Sequence, residues 1–167
     1  MDELRDQTVA LHNFAEPKIN AFSRRLAFDT LPHIDRFEDD GFTREEHKMI
    51  FETRKIMGLP ELPVCATCVR VPVYRAHSVA VSAEFELPAS PDQAREVLSQ
   101  APGIDVVDDP QKNEYPMPLH ASGRYNCQVG RLRRDCALDN GLAFWVVGDQ
   151  LLKGAALNAV QIAELLL

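Results

Sequence analysis

The sequence predicts an α+β fold, a mixed and mostly antiparallel sheet with helices packed on one face. Three observations predict it. Val79, Val81, Ala83, Phe85 and Leu87 alternate with Ala80, Ser82, Glu84 and Glu86, which is the period of a half-buried strand. Asp139-Asn140-Gly141 is a hairpin-turn signal between two β-rich runs. Strands and helices do not follow one another as regular βαβ units, so a wound parallel sheet is not expected.

Asp2 to Asn13 is amphipathic and acidic and predicts a first helix. Arg25 to Asp29 predicts a short strand. The second helix, Thr43 to Met57, opens with Thr43 and Glu46 at capping-box spacing and stops at Gly58 before Pro60. Val64 to Val71 is rich in β-branched residues and ends at Pro72, a residue that central strands exclude. With Ser78 to Leu87 it predicts a hairpin. Ser90 as cap and Pro91 at the first helical position open a third helix, Ser90 to Gln100. Ile104 to Val107 predicts a strand, and Asp108 to Gly123, with Pro110, Pro116 and Pro118, predicts a long surface loop. Cys127 to Arg134 and Leu142 to Val147 predict the last two strands, and Leu151 to Leu167 predicts a terminal helix.

The chain of 167 residues, 46% of them hydrophobic, is long enough for one domain with a real core and too short for a dinucleotide domain plus a complete catalytic domain. A formal charge of −7 argues against a nucleic-acid surface. Arg131 to Asp135, RLRRD, is the only dense basic cluster, and it reads as the exposed side of a strand rather than an anion site. No apolar run of about 18 residues and no signal-peptide core occurs, so a soluble, cytoplasmic protein without membrane contact is expected.

Four cysteines, Cys65, Cys68, Cys127 and Cys136, fit a reducing compartment. Cys65 and Cys68 would point to opposite faces of a strand and could not chelate one metal, so no metal site is expected. Arg70 and His77 lie seven residues apart on either side of Pro72. Fully extended, that stretch spans about 23 Å, so both side chains reach one small substrate only if the chain turns. A planar cationic fork and a near-neutral base would then suit an acidic substrate and acid–base chemistry. The alternative is a solvated strand-end charge and an ordinary hairpin histidine.

CVRVPVYRAHS, Cys68 to Ser78, resembles the CVRVPVxxGHS segment of bacterial aspartate-semialdehyde dehydrogenases. Phe42 to Met57 (FTREEHKMIFETRKIM), Val129 to Asp135 (VGRLRRD) and Trp145 to Leu166 (WVVGDQLLKGAALNAVQIAELL) resemble the same family in the same order. The family's Gly-rich phosphate turn, its catalytic cysteine and its substrate-binding glutamine have no counterpart here. The resemblance therefore implies the C-terminal dimerisation and substrate-binding domain over 1–167, with the N-terminal NADP-binding domain outside this chain. The fold it implies is the C-terminal domain of semialdehyde dehydrogenases and glyceraldehyde-phosphate dehydrogenase.

The implied reaction is the NADPH-dependent reduction of 4-phospho-aspartate to aspartate 4-semialdehyde with release of phosphate, a step toward lysine, threonine and methionine. Arg70 matches the clamp on the substrate α-carboxylate, and His77 matches the general acid and base. Glu45 and Lys48 match the ExxK motif that binds the acyl phosphate, although their spacing alone predicts no more than a surface ion pair. Gln161 matches a residue near the nicotinamide of NADP. No cysteine lies in a segment resembling the nucleophile motif. The chain departs from the pattern at Ala76, where the family has glycine, and at Gln150, where it has asparagine.

The terminal helix is apolar on nearly every side, so a cover is expected, either the nucleotide-binding half or, less suited to so broad an apolar surface, a coiled-coil partner. Leu142 to Val147 is apolar on both faces, which predicts a homodimer through the sheet. Two alternative functions remain: a catalytically silent dimerisation module, and the related N-acetyl-glutamyl-phosphate reductase. In the main reading this chain in isolation is inactive.

Overall fold

The computed structural model describes all residues, 1–167, and the chain packs as two compact units, Met1–Tyr74 and Arg75–Leu167.

The first unit is built on α1 (Asp2–His12) and α2 (Arg44–Met57). Its small core is Leu4, Leu26, Ala27 and Leu31, with Leu11 and Phe22 packed against it. The strand expected at Arg25 to Asp29 does not form. Its backbone is claimed by a side chain instead: Gln7 on α1 accepts from the amides of Leu26 (2.8 Å) and Ala27 (3.1 Å). Phe28 then turns the chain at φ 61. Glu3 does the same for the preceding loop, accepting from the Asn20 and Ala21 amides, and these donors hold its carboxyl below the usual range.

α2 begins and ends where its residues dictate. The Thr43 hydroxyl accepts from the Glu46 amide, the Glu46 carboxylate accepts from the Thr43 amide, and Gly58 closes the helix in the left-handed region. The strand expected at Val64 to Val71 is also absent, and with it the hairpin to Ser78–Leu87. Pro63 and Pro72 bracket the segment, and its only ladder contact is an isolated antiparallel bridge between Arg70 and Leu31. The two residues exchange both hydrogen bonds there, at 2.8 and 2.9 Å.

The second unit holds a four-stranded mixed sheet. Its strands are β1 (His77–Glu84), β2 (Ile104–Val106), β3 (Cys127–Arg134) and β4 (Gly141–Gly148), in the order β1-β4-β3-β2. β4 is central and antiparallel to both neighbours, and only β2 runs parallel to β3. This is the predicted α+β class. The turn at Asp139 and Asn140 joins β3 to β4 as their composition requires. α3 (Pro91–Gln100), with Ser90 in a capping box and Pro91 in its first turn, packs on β2 and β3.

The expected loop at 108–123 carries more structure than its prolines suggest: a 3₁₀ turn at Pro110–Lys112 and the one-turn helix α4 (Pro118–Ala121) against β4. The basic cluster lies on a bulge. The register of β3 shifts between Gly130 and Arg133, with Arg131 at φ 57. Asp108 holds this bulge, accepting from the amides of Arg131 (2.6 Å) and Leu132 (3.3 Å) and from Nε of Arg95 on α3 (2.7 Å). Arg131, Arg133 and Arg134 are exposed, as the strand-surface reading expects.

The terminal segment is not one continuous α-helix. Leu152–Ala156 is a π-helical turn, followed by α5 (Leu157–Glu164). Val160, Ile162, Leu165, Leu166 and Leu167 are exposed, so the chain itself leaves this apolar surface uncovered.

Gly130 marks where the 107–118 segment crosses β3. A Cβ there would lie 2.0 Å from the Val107 carbonyl oxygen and 2.7 Å from Pro116 Cδ. Backbone cannot yield as a side chain tip can. Gly130→Ala is expected to destabilise the second unit by about 3 kcal/mol or more, read by thermal denaturation, whereas Gly123→Ala, where the added carbon meets nothing, should cost only the strain of its positive φ.

Candidate functional site

The first unit holds three of the residues singled out by sequence. Glu45 and Lys48 lie one turn apart on α2, with Lys48 Nζ 2.8 Å from Glu45 Oε2. Hydrogen bonding to Glu45 and its charge push the Lys48 ammonium pKa up, so this cation is fixed. Arg70 is held from behind. Its backbone is pinned to the buried Leu31, and its guanidinium lies over the Phe22 ring, 5.6 Å from the centroid. Within this unit it makes no ion pair or side-chain hydrogen bond, so the donors of its fork are available.

Glu46 supports this group, and its second role was not readable from spacing. One carboxylate oxygen accepts from the Thr43 amide (2.7 Å), as the capping box predicts, and the other accepts from the Cys68 amide (2.8 Å). The buried carboxylate thus ties the first turn of α2, which carries Glu45 and Lys48, to the segment that carries Arg70. The amides of Thr43 and Cys68 hold it in its charged form, with its carboxyl below the usual range despite burial.

The second unit holds His77 and Gln161. His77 is the first residue of β1, exposed, and paired in register with Gly148 of β4. Gln161 on α5 is half-buried, and its Oε1 accepts from Lys153 Nζ at 2.7 Å. The predicted hairpin therefore does not set Arg70 opposite His77; the two belong to different units.

Asp149, which follows β4, is the residue of this unit that sequence reasoning missed. Its buried carboxylate accepts from the Gly123 amide (2.7 Å), the Leu151 amide (3.0 Å) and Arg75 Nη2 (2.8 Å). Burial pushes its pKa up, but the amides and the Arg75 guanidinium outweigh it and hold the carboxyl below its ordinary value. The Asp149-to-Leu151 bond is a local Asx-type contact, the one signal in sequence that could have marked it.

Cys68 and Cys127 are not activated as thiolates. Burial pushes up the thiol pKa of Cys68, helped by the charges of Glu46 and Glu45, and burial does the same to Cys127. No three His, Cys, Asp or Glu side chains are grouped as a metal site would need.

The first unit presents an arginine over an aromatic ring and a lysine–glutamate pair, and the second presents a strand-end histidine. Residues 1–153 match the family described as semialdehyde dehydrogenase, dimerisation domain, and the chain belongs to that family. It is 53% identical over 99% of its length to the aspartate-semialdehyde dehydrogenase of Aquifex aeolicus, covering 49% of that protein. It is 46% identical over 97% of its length to the enzyme of the same name from Bacillus subtilis, again covering 49%. The crystal structure of aspartate semialdehyde dehydrogenase II from Vibrio cholerae, complexed with ASA, superposes with a TM-score of 0.94 at 43% identity, over 99% of this chain and 48% of that one. The chain spans about half the length of the relatives it matches.

Glu46→Gln tests the tie between α2 and Cys68. Glutamine keeps one acceptor oxygen and turns an NH₂ toward a backbone donor, so a loss of about 1–3 kcal/mol of unfolding free energy is expected at neutral pH. Because the folded carboxyl titrates below its unfolded value of about 4.3, its contribution is present above that pH and fades as pH falls through the lower folded value. Denaturant titrations should therefore show the gap between the two proteins constant from pH 7 to about pH 5 and closing on further acidification.

Proposed function

We propose that the chain is the dimerisation and substrate-binding domain of an aspartate-semialdehyde dehydrogenase that reduces 4-phospho-aspartate to aspartate 4-semialdehyde, with release of phosphate. The observation that carries the substrate reading is Arg70, a guanidinium held over the Phe22 ring with its fork unpaired within its unit. A carboxylate is the planar, bidentate acceptor that such a fork matches, and the α-carboxylate of an aspartyl substrate is one. Lys48, oriented by Glu45, supplies a point charge for the phosphoryl group. His77 is the acid–base group, passing the proton at the reacting centre while a thiolate from the rest of the parent enzyme makes the attack.

NADP is the proposed cofactor, and its reduced form, when bound, would supply the hydride. Most of its binding falls to the nucleotide-binding part of the parent enzyme. Gln161 suits a supporting role: its oxygen is taken by Lys153, so it offers its NH₂ group, and a nicotinamide carboxamide oxygen accepts such donors. A place in lysine, threonine and methionine biosynthesis follows from that product. Membership in the dimerisation-domain family supports a homodimer. No helix is long and apolar enough to cross a membrane.

Arg70→Lys in the intact enzyme keeps the charge and loses the fork. A fall in kcat/KM equivalent to roughly 2–4 kcal/mol of transition-state stabilisation is expected, with an unchanged melting curve. The assay is NADP reduction with aspartate semialdehyde and phosphate, and a change within twofold would remove Arg70 from the substrate site. The same assay on the 167-residue chain alone should give no turnover above a buffer blank.

The dimer is proposed to form through the sheet. Phe144, Trp145 and Val146 at the middle of β4 are only partly buried within this chain, so a second copy has apolar area to cover. Sedimentation equilibrium at tens of micromolar should give a dimer of the 18.7 kDa chain, and a single monomeric species would contradict it.

A further inference from the structure

Ala76 stands at φ 75, in the left-handed region that a residue with a Cβ avoids. It immediately precedes His77 and the start of β1. Its amide donates to Gln150 Oε1 at 3.0 Å. On its other side, Arg75 is fixed to the buried carboxylate of Asp149 at 2.8 Å. Two consecutive residues after β4 therefore hold two consecutive residues before β1, both by side chains, just beyond the last backbone pair His77 and Gly148.

We propose that Gln150 is a positioning residue for His77: its carboxamide holds Ala76 in the left-handed conformation and so fixes the direction from which the chain delivers the His77 side chain. If Ala76 relaxed to an ordinary negative φ, its amide would swing away and the strand entry would rotate with it. Asp149 cannot do this alone, since it holds the flexible side chain of Arg75 and not the backbone. Asparagine at position 150 is shorter by one methylene, and its oxygen would fall short of a hydrogen bond made at 3.0 Å. The proposal rests on reading His77 as the acid–base group, but its test does not.

The test is hydrogen exchange and imidazole ¹⁵N spectroscopy on the 167-residue chain, with the His77 resonances assigned by difference from His77→Gln. Two variants are compared: Gln150→Asn, which lacks reach, and Gln150→Leu, nearly isosteric but without an acceptor. In both, exchange of the Ala76 amide should rise by on the order of tenfold and the His77 ring resonances should move, with the β1 amides of Val79 and Val81 still protected. Unchanged Ala76 exchange and His77 resonances in both variants would overturn the proposal. So would loss of protection along β1 equal to that at Ala76, which would make Gln150 a general structural residue. Neither outcome bears on the role of His77 itself. That role fails separately, if His77→Asn in the intact enzyme retains its kcat/KM.

Discussion

Backbone amides that no helix or strand can satisfy must find acceptors elsewhere, and in this chain four side chains each take two of them. Gln7 takes the amides of Leu26 and Ala27, Glu46 those of Thr43 and Cys68, Asp108 those of Arg131 and Leu132, and Asp149 those of Gly123 and Leu151. Gln7, Glu46 and Asp108 each join an irregular segment to a regular one, and Asp149 joins the turn at Gly123 to the start of the terminal segment. Three of the four are carboxylates, whose hydrogen bonds to N–H donors are stronger than those of neutral acceptors, and Glu46 and Asp149 are shifted toward the charged form by those donors. Burial opposes the charge, and converging amides offset it.

These latches lie close to the residues proposed for substrate chemistry. Glu46 fixes Cys68, two residues before Arg70, and the helix turn that bears Glu45 and Lys48. Asp149 and Gln150 fix Arg75 and Ala76, directly before His77. A loop residue that must hold an angle against a substrate needs a scaffold whose own rotamer is locked. Here the scaffold residues are acceptors at the ends of α2 and β4, Glu46 and Asp149 buried and Gln150 half-buried, so the elements that sequence makes most regular carry the positioning of those it makes least regular.

That division explains what could be read from sequence. α2 and α3 were legible from Thr43–Glu46 and Ser90-Pro91 because caps are local, and β3 and β4 from their composition and the Asp139-Asn140-Gly141 turn. The strand expected at Arg25 to Asp29 failed because the acceptor for its amides sits about 20 residues away on α1, where no local pattern announces it. The hairpin expected across Pro72 failed for a related reason. Its first arm has β-branched residues but takes its partners from Leu31 and Glu46, while β1 takes the whole length of β4. The terminal helix was legible in extent, but its π turn after Asp149 was not. Of the site residues, Glu45 and Lys48 were seen as a pair and found as one, whereas Glu46 reads only as a helix cap and Asp149 as an ordinary surface acid until their further partners are known.

Lys48 and Arg70, the two cations proposed to meet the substrate, are prepared differently, and the difference has a consequence for the proposed reaction. Lys48 is already paired with Glu45, so an arriving phosphoryl group would share or replace a carboxylate rather than meet a bare charge. The net gain on binding is then small, and it grows as negative charge builds on the leaving phosphate. Arg70 has no anionic partner within its unit, and its attraction to a carboxylate is available at once. The chain is acidic overall, with a formal charge of −7, so a guanidinium left unpaired is held against a surplus of possible partners. Its backbone bridge to Leu31 and its contact with Phe22 keep it there. Under the proposed function Arg70 would govern substrate capture, and the Glu45–Lys48 pair would act mainly on the transition state.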